Sequence, residues 1–271
     1  MEDIIKLFLG LGVISVLGIG FLITIWFLLS REAKEKLRTV LGDFLQSPLG
    51  RRISFFLFIA GGLMISLASA AAFIAITGLL FTEEEIQELD LLAVYFIKIF
   101  RPEALTPLFE AITFLGNSQV VIGVVALSVI IGLIRRYWSL AILFILSVAG
   151  SQLFVFLAKQ IIARPRPSIG YQVIETSGYS FPSGHAAIAI ALYGLLWYVI
   201  FRALPNWSFR IIWTIILAFL IGGIAISRVY LGVHYPSDIA AGLAFGVAWT
   251  AFLIIAHEIW GNFKRRREVF S

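Results

Sequence analysis

The chain has 271 residues, 60% of them hydrophobic, and its formal net charge is +5 at pH 7. Soluble domains are only about half apolar, so this composition, arranged in long apolar runs, excludes an ordinary soluble domain and indicates a membrane protein. The chain has no cysteine, which excludes disulfides, thiolate chemistry and cysteine metal sites. Its basic residues cluster in the loops between apolar runs, as membrane topology requires, and we predict no nucleic acid partner.

Seven apolar runs predict an all-α, polytopic membrane helix bundle, because a spanning helix needs about 20 predominantly apolar residues. The third run is short, and we expect the apolar stretch Leu105–Leu115 before it to contribute to the same span. The predicted spans are approximately Leu7–Leu29, Ile53–Phe81, Ser118–Ile134, Ser139–Ile162, His185–Leu204, Arg210–Ser227 and Ile239–Trp260.

The segment between the first two spans predicts a basic amphipathic helix on a membrane surface. Its apolar residues recur with helical spacing, while Glu, Lys and Arg occupy the opposite face. We interpret it as a surface anchor in preference to a regulatory lipid sensor. Residues 1–52 then hold the first span and this helix, residues 53–262 hold a membrane core, and residues 263–271 form a basic tail. The apolar face consists of Ala33, Leu37, Val40, Leu41, Phe44 and Leu45.

The distribution of charge predicts the topology. Fourteen of the 21 Lys and Arg residues lie on one side of the predicted spans: six between the first two spans, two between the third and fourth, two around the loop after the fifth, and four in the tail. The positive-inside rule therefore places the C-terminus in the cytoplasm and the N-terminus outside, in a multi-pass protein of the cell membrane. The opposite side carries an acidic run, Glu83, Glu84, Glu85, Glu88 and Asp90.

On the outer side, Thr82 and Glu85 match a capping box, Thr-x-x-Glu, which predicts the start of a second amphipathic helix. Arg101-Pro102 would end this helix. Its predicted apolar face consists of Ile86, Leu89, Ala93 and Phe96.

Gly242 and Gly246 form a Gly-x-x-x-Gly pair in the last span. Small residues at this spacing let two helices approach closely. We interpret the pair as tight packing within the bundle rather than as a dimer contact, and the oligomeric state is not predicted.

The first of three polar clusters consists of Lys159, Arg164 and Arg166-Pro167, at the outer end of the fourth span. An Arg-Pro-Arg-Pro stretch cannot continue a regular helix, so the chain leaves the helix there and its basic side chains can turn inward. Arginine suits phosphate because its guanidinium offers paired donors. The alternative is a snorkelling basic cluster at a membrane edge.

The second cluster, Pro182-Ser183-Gly184-His185, opens the fifth span. Ser183 can donate a hydroxyl hydrogen bond, and Gly184 lets the backbone approach a ligand closely. The free N–H groups of a new helix bind anions, and His185 could deliver a proton to a leaving oxygen. The alternative is a helix cap with an incidental histidine.

The third cluster consists of Ser227-Arg228, His234 and Asp238. Pro236 suits the first position of the last span, so Asp238 falls in its first turn and can reach back to His234. A carboxylate on one imidazole nitrogen fixes the tautomer and raises the nucleophilicity of the other. This is the logic of a Ser-His-Asp triad with histidine as the nucleophile. The alternative is a His–Asp pair that caps a helix.

Ionisable groups at membrane depth are costly and usually functional. The two histidines and one aspartate of these clusters are residue types that bind zinc or iron. The four neighbouring cations would repel a divalent ion, so we predict no metal site and no cofactor.

Together the three clusters resemble the signature of the type 2 phosphatidic acid phosphatase superfamily, which includes bacterial membrane lipid phosphatases. The resemblance covers roughly Ile53 to Trp260 and implies a six-helix phosphatase core over residues 53–262. The first span and the basic helix would be additions to that core. The invariant letters of the signature are all present: Lys159, Arg166-Pro167, Pro182-Ser183-Gly184-His185, Ser227-Arg228, His234 and Asp238.

The resemblance also implies the role of each residue in a metal-independent phosphatase. His234 would attack phosphorus and form a phosphohistidine, Asp238 would orient His234, and His185 would protonate the departing group. Arg164 lies beside the invariant positions and would be an auxiliary residue. The phosphate would be held by Lys159, Arg166, Ser183, Gly184 and Arg228.

The motifs do not specify the substrate. The membrane setting and an extracytoplasmic site favour lipid phosphates, with undecaprenyl diphosphate or phosphatidylglycerophosphate ahead of phosphatidate and lipid A phosphates. A lipid phosphotransferase would use the same phosphohistidine with another acceptor. A transporter would need polar groups at mid-membrane, whereas here they cluster at one face. A non-catalytic lipid-binding relative should lack a catalytic residue, and none is missing here. The lipid bilayer and a membrane lipid phosphate are therefore the predicted partners.

Overall fold

The computed structural model describes residues 31–270, and the regular secondary structure in that range is helical. The predicted all-α membrane bundle is confirmed, while the predicted span Leu7–Leu29 lies outside the described residues. The helices are α1 (Arg31–Gln46), α2 (Pro48–Thr82), α3 (Glu84–Phe100), α4 (Thr106–Phe114), α5 (Ser118–Ile134), α6 (Trp138–Ile162), α7 (Gly184–Ala203, with a π-helical turn at Ile190–Gly194), α8 (Trp207–Tyr230) and α9 (Pro236–Phe270).

Six stretches of the described chain are long and apolar enough to cross a membrane. Each corresponds to one of the six predicted spans after the first. The short third span is extended at its start by α4, as expected, with a break between Leu115 and Asn117. The stretches are Pro48–Thr82, Glu103–Ile134, Trp138–Ile162, Gly184–Ala203, Trp207–Tyr230 and Pro236–Lys264.

The chain divides into two compact units, residues 1–59 and residues 60–271. In the described part of the first unit, α1 passes into α2 through Ser47. The Ser47 hydroxyl donates to the carbonyl of Phe44 at 2.6 Å and accepts from the amide of Gly50 at 2.9 Å. The helix predicted for this segment is confirmed. Val40, Leu41, Phe44 and Leu45 of its apolar face are exposed, while the side chains of Ala33 and Leu37 lie outside the described residues.

In the second unit, α7 and α9 are the central helices. In the apolar segments of α7 and α9, half of the residues are buried, whereas only 17% are buried in the apolar segment of α8. The main core forms where α7 packs against α6, α8 and α9, through residues that include Leu143, Phe144, Leu192, Leu195, Leu217, Ile224 and Leu253. Many other large apolar side chains of the helices around α7 and α9 are exposed, as expected of surfaces that face lipid.

Gly242 and Gly246 allow α9 to lie directly against the start of α7. A Cβ on Gly242 would lie 2.5 Å from the carbonyl oxygen of Ser183, and a Cβ on Gly246 would lie 2.8 Å from Cβ of Ile190. The interpretation of this glycine pair as packing within the bundle is therefore confirmed. The close approach places the first turn of α9 beside the second polar cluster.

The capping box predicted for α3 is wrong. Thr82 belongs to the last turn of α2, and its hydroxyl donates to the carbonyl of Gly78 at 3.2 Å. Helix α3 begins at Glu84, after an extended Glu83 whose side chain makes no capping hydrogen bond. The apolar run of α2 continues to Thr82, so this threonine lies in the last turn of α2 and does not cap α3.

The predicted apolar face of α3 is also rotated. Leu89 and Phe96 are 60% and 49% exposed, whereas Asp90 and Val94 are buried at 4% and 1%. The helix therefore turns a carboxylate inward in place of two large apolar side chains. The physical reason is an ion pair between Asp90 and Arg164.

Replacing Gly242 with Ala should destabilise the protein by about 1–3 kcal/mol, because the added methyl group would overpack the contact between α9 and α7. Gly222→Ala in α8 is the matched control, since a Cβ there meets nothing within 4 Å and Ala stabilises a helix interior by about 0.5–1 kcal/mol relative to Gly. Thermal unfolding of both variants in one detergent measures the difference. A Gly242→Ala melting temperature at or above that of Gly222→Ala would contradict this packing.

Candidate active site

The three polar clusters meet at one end of the second unit. The end of α6 and the loop after it supply Lys159, Arg164 and Arg166, the start of α7 supplies Ser183 to His185, and the loop between α8 and α9 supplies His234. Direct contacts join them: Ser183 N donates to the carbonyl of Asp238 at 3.0 Å, and Arg166 Nη1 lies 3.3 Å from His234 Nε2. His185 lies within electrostatic range of His234 and of the cations Lys159, Arg166 and Arg228.

The first cluster leaves its helix where the prolines require it. Helix α6 ends at Ile162, and Ala163 adopts a left-handed conformation with φ 50°. The predicted break is therefore confirmed. The far end of the loop lies next to its start, because the amide of Ser180 donates to the carbonyl of Arg164 at 2.9 Å.

His234 and Asp238 form the predicted pair across one turn. His234 Nδ1 lies 3.2 Å from Asp238 Oδ2, and the amide of Tyr235 donates to the same oxygen at 3.0 Å. Burial lowers the pKa of His234 to about 4, although the neighbouring Asp238 opposes that shift. The imidazole is therefore neutral at neutral pH. With its proton on Nδ1, it keeps a lone pair on Nε2, the atom that faces Arg166.

The loop that carries His234 needs a glycine. Gly232 has φ +71°, and a Cβ there would lie 2.1 Å from the carbonyl oxygen of Tyr171. The turn closes when the amides of Val233 and His234 donate to the carbonyl of Arg228, at 3.1 and 3.3 Å. The end of α8 and the position of His234 are therefore linked through the backbone.

Three cations around His234 lack a carboxylate partner within the described chain, namely Lys159, Arg166 and Arg228. Lys159 donates to the carbonyls of Tyr179 and Ser180. Arg166 donates to the carbonyl of Val233 at 2.7 Å. These neutral acceptors leave the positive charges uncompensated, which suits the binding of an anion.

Arg228 is the most deeply buried of these cations, at 4% exposure. Its Nη1 donates to Thr113 Oγ1 at 2.8 Å, and its buried Nε finds no hydrogen-bond acceptor among the described residues. A buried unsatisfied donor is costly, so Arg228 retains hydrogen-bonding capacity for a ligand.

The chain is similar to known proteins in the part that holds this site. Residues 140–261 match the model of the PAP2 superfamily. Phosphatidylglycerophosphatase B of Bacillus subtilis is 33% identical over 157 residues, which cover 55% of this chain and 73% of that protein. The chain belongs to the PAP2 superfamily. It is therefore a membrane lipid phosphatase of the PAP2 type, as the sequence signature predicted.

Two further relatives extend this result. An undecaprenyl-diphosphatase of Sulfolobus acidocaldarius is 26% identical over 168 residues, which cover 62% of this chain and 67% of that protein. The crystal structure of a transmembrane PAP2-type phosphatidylglycerolphosphate phosphatase from Bacillus subtilis has a TM-score of 0.65 and 25% identity. It covers 70% of this chain and 94% of that one. The multi-pass helical architecture is thus shared with a membrane PAP2 enzyme.

Within the PAP2 signature, Ser183 acts as a helix cap, which was the alternative interpretation of its cluster. Its side chain accepts from the amide of Ala186 at 3.4 Å and caps α7, which leaves its hydroxyl proton free to donate. At Gly184 a Cβ would meet Val155 Cγ1 at an ordinary 3.5 Å. Packing within the protein therefore does not require this glycine, and close approach of a ligand stays a prediction.

Other residues at the site lie outside the PAP2 match, and sequence reasoning missed them. Asn117 Oδ1 lies 2.9 Å from His185 Nε2, and Thr113 accepts from Arg228. Asp90 binds Arg164. For Asp90 a signal was present, since a carboxylate one turn after Ile86 falls on the apolar face predicted for α3. Asn117 and Thr113 gave no signal beyond that of an ordinary loop and helix end.

Proposed function

We propose that the protein dephosphorylates lipid phosphates or diphosphates through a phosphohistidine on His234. One observation carries the proposal: His234 Nε2 faces Arg166 at 3.3 Å while its Nδ1 meets Asp238 at 3.2 Å. The nucleophilic nitrogen thus lies beside a cation suited to phosphate, and the other nitrogen is held by a carboxylate. This is the arrangement that an activated histidine nucleophile needs.

In the first step, the Nε2 lone pair attacks phosphorus and the bond from phosphorus to the leaving oxygen breaks. His185 gives its proton to that oxygen, which leaves as an alcohol or as a shorter phosphate. The imidazole of His234 becomes cationic because it keeps the proton on Nδ1, and Asp238 stabilises that charge. In the second step, His185 takes a proton from water, water attacks phosphorus, and the bond to Nε2 breaks to release phosphate.

The basic residues would stabilise the transferring phosphoryl group. Its charge spreads over three equatorial oxygens, and catalysis of such transfers rests on positioning and electrostatic stabilisation. Lys159, Arg166 and Arg228 are uncompensated and partly or fully buried, so each acts in a medium of low effective dielectric constant. Ser183 and the Gly184 amide at the start of α7 would add neutral donors.

Two features support a lipid substrate. Relatives of the chain include a phosphatidylglycerophosphatase and an undecaprenyl-diphosphatase, and either kind of lipid is the preferred candidate. In addition, a cavity of about 270 Å³ lies between the end of α2, α3 and the end of α6, next to Arg164 and Tyr235. Its apolar walls, formed by Leu80, Phe81, Leu91 and Ile162, suit a lipid chain.

We further propose that the site faces away from the cytoplasm. Arg135 and Arg202, from two of the basic loops, line a single cavity with Glu258, at the other end of the spans from His234. Positive loops mark the cytoplasmic side, which leaves the catalytic end outside.

Purified protein should release phosphate from undecaprenyl diphosphate or phosphatidylglycerophosphate in EDTA without added metal. No group of three or more His, Asp or Glu side chains that could hold a metal is found in the described chain. The measurement is phosphate release across a panel that also contains phosphatidate and lipid A. Loss of activity in EDTA with recovery on adding a divalent ion would contradict metal independence. Transfer of phosphate to an added alcohol with little release to water would instead indicate a phosphotransferase.

His234→Ala should abolish turnover and the phosphoenzyme, because it removes the atom that forms the covalent bond. His185→Ala should slow turnover by about 100- to 10,000-fold, the usual contribution of a general acid. Acid hydrolyses the P–N bond of phosphohistidine, so the phosphoenzyme is trapped with ³²P-labelled substrate and analysed under alkaline conditions. His257→Ala, on the last histidine of the chain, is the control and should behave as wild type. A labelled adduct in His234→Ala would exclude His234 as the nucleophile.

Single cysteines at Glu175 and Arg135 should report the orientation, since both residues are exposed and the chain has no cysteine of its own. In intact cells, a membrane-impermeant thiol reagent should label Glu175→Cys and spare Arg135→Cys. Permeabilised cells should label both, which controls for reactivity. The reverse pattern in intact cells would place the site on the cytoplasmic side.

A further inference from the structure

Asp90 is a buried carboxylate of α3 that belongs to none of the three clusters and precedes the region matched by the PAP2 model. It is 4% exposed. One of its oxygens accepts from Arg164 Nη2 at 2.7 Å, and the other accepts from the amide of Ser237 at 3.1 Å. The Ser237 hydroxyl also donates to Asp90. The carboxylate therefore contacts both the loop after α6 and the first turn of α9.

Arg164 joins Asp90 to the proposed catalytic pair. Its Nη2 binds Asp90, while its Nη1 donates to Asp238 Oδ1 at 2.7 Å and to Ser237 Oγ at 2.8 Å. The guanidinium also stacks over the ring of Tyr235, with its central carbon 4.2 Å from the ring centroid. A planar fork held by two carboxylates and one ring has a single orientation, which a lysine ammonium cannot reproduce.

Asp238 is in turn held on both of its oxygens. Oδ1 accepts from Arg164, and Oδ2 accepts from His234 Nδ1 and from the amide of Tyr235. The side chain is fully buried, so water cannot substitute for a lost partner. Its orientation toward His234 therefore depends on the Arg164 guanidinium staying where Asp90 holds it.

We propose that Asp90 is a positioning residue, which acts through Arg164 and Ser237 to hold Asp238 against His234. The inference rests on the proposed phosphohistidine mechanism and adds to it a residue from a helix outside the PAP2 signature. It also assigns Arg164 to the carboxylate side of the site, away from the phosphate.

The charges give Asp90 a second effect on the same atoms. Arg164 and Asp238 alone would form a neutral pair, in which the guanidinium offsets the carboxylate that His234 needs when it becomes cationic. With Asp90 present, the chain Asp90–Arg164–Asp238 carries one net negative charge. Arg164 then shares its hydrogen bonds between two carboxylates, and Asp238 retains more of its charge for the imidazole.

Asp90→Asn is the decisive variant, because it removes the charge at constant size. We expect kcat to fall about 10- to 100-fold, the range seen when partners that orient metal-binding histidines are removed, while KM changes less than about twofold. The rate of phosphoenzyme formation in a single turnover should fall by the same factor as kcat. Glu88→Gln makes the same chemical change on an exposed position of the same helix and should leave kcat, KM and the single-turnover rate as in wild type.

A merely structural role for Asp90 makes a different prediction. Asp90→Asn would then lower the melting temperature, but kcat per folded molecule and the single-turnover rate would match Glu88→Gln. That result would overturn the inference. His234→Ala, run in parallel, separates this failure from failure of the mechanism: a phosphoenzyme that survives in His234→Ala would refute the proposed nucleophile itself.

Arg164→Lys keeps the inference testable if Asp90→Asn does not fold, because it preserves the charge and an ion pair with one carboxylate. A single ammonium cannot replace the forked contact with Asp90, Asp238 and Ser237. The variant should therefore lose about 10- to 100-fold in kcat at little change in KM. Wild-type kcat in folded Arg164→Lys would overturn the inference. If both single variants fold, the double variant should be no slower than the slower single variant, because Asp90 acts through Arg164. Additive losses in the double variant would contradict this dependence.

Discussion

The site depends on one side chain and its backbone, those of Asp238. Its two carboxylate oxygens bind His234, Tyr235 N and Arg164, and its carbonyl accepts from the amide of Ser183. Each of the three polar clusters therefore contacts the first turn of α9. Because Asp238 is fully buried, these contacts are made at low dielectric constant, where a missing partner would leave a charge or a polar group uncompensated.

Such a residue must be held at a defined distance from α7, and the glycines of α9 provide that distance. Gly242 lets the backbone of α9 approach the Ser183 carbonyl, and Gly246 does the same one turn later beside Ile190. Side chains at these positions would push the first turn of α9 away from the start of α7. The packing of the bundle and the geometry of the proposed catalytic pair are thus set by the same contact.

The electrostatics of the site separate into two sides of His234. On the Nδ1 side, Asp238, Arg164 and Asp90 form an ion-pair network with one net negative charge. On the Nε2 side lies Arg166, at 3.3 Å. Lys159, Arg166 and Arg228 are held by carbonyls and by Thr113, so their charge is available to an anion. A neutral imidazole has its Nε2 lone pair directed to Arg166, and the cationic imidazole of the proposed intermediate would be stabilised by the carboxylate network on the Nδ1 side.

The sequence by itself determined the apolar spans, the break after α6, and the residues of the PAP2 signature. Each of these depends on local properties: hydrophobic length, proline geometry, and the short spacing from His234 to Asp238 within one helical turn. Tertiary structure decided the inward face of α3, the loss of the expected cap at Thr82 and the partners of Arg164, Arg228 and His185. Asp90 and Arg164 are 74 residues apart, and no local period relates them. A buried carboxylate can be identified as a partner only when the folded chain shows which cation it meets, since the cost of burying either charge alone is what brings the two together.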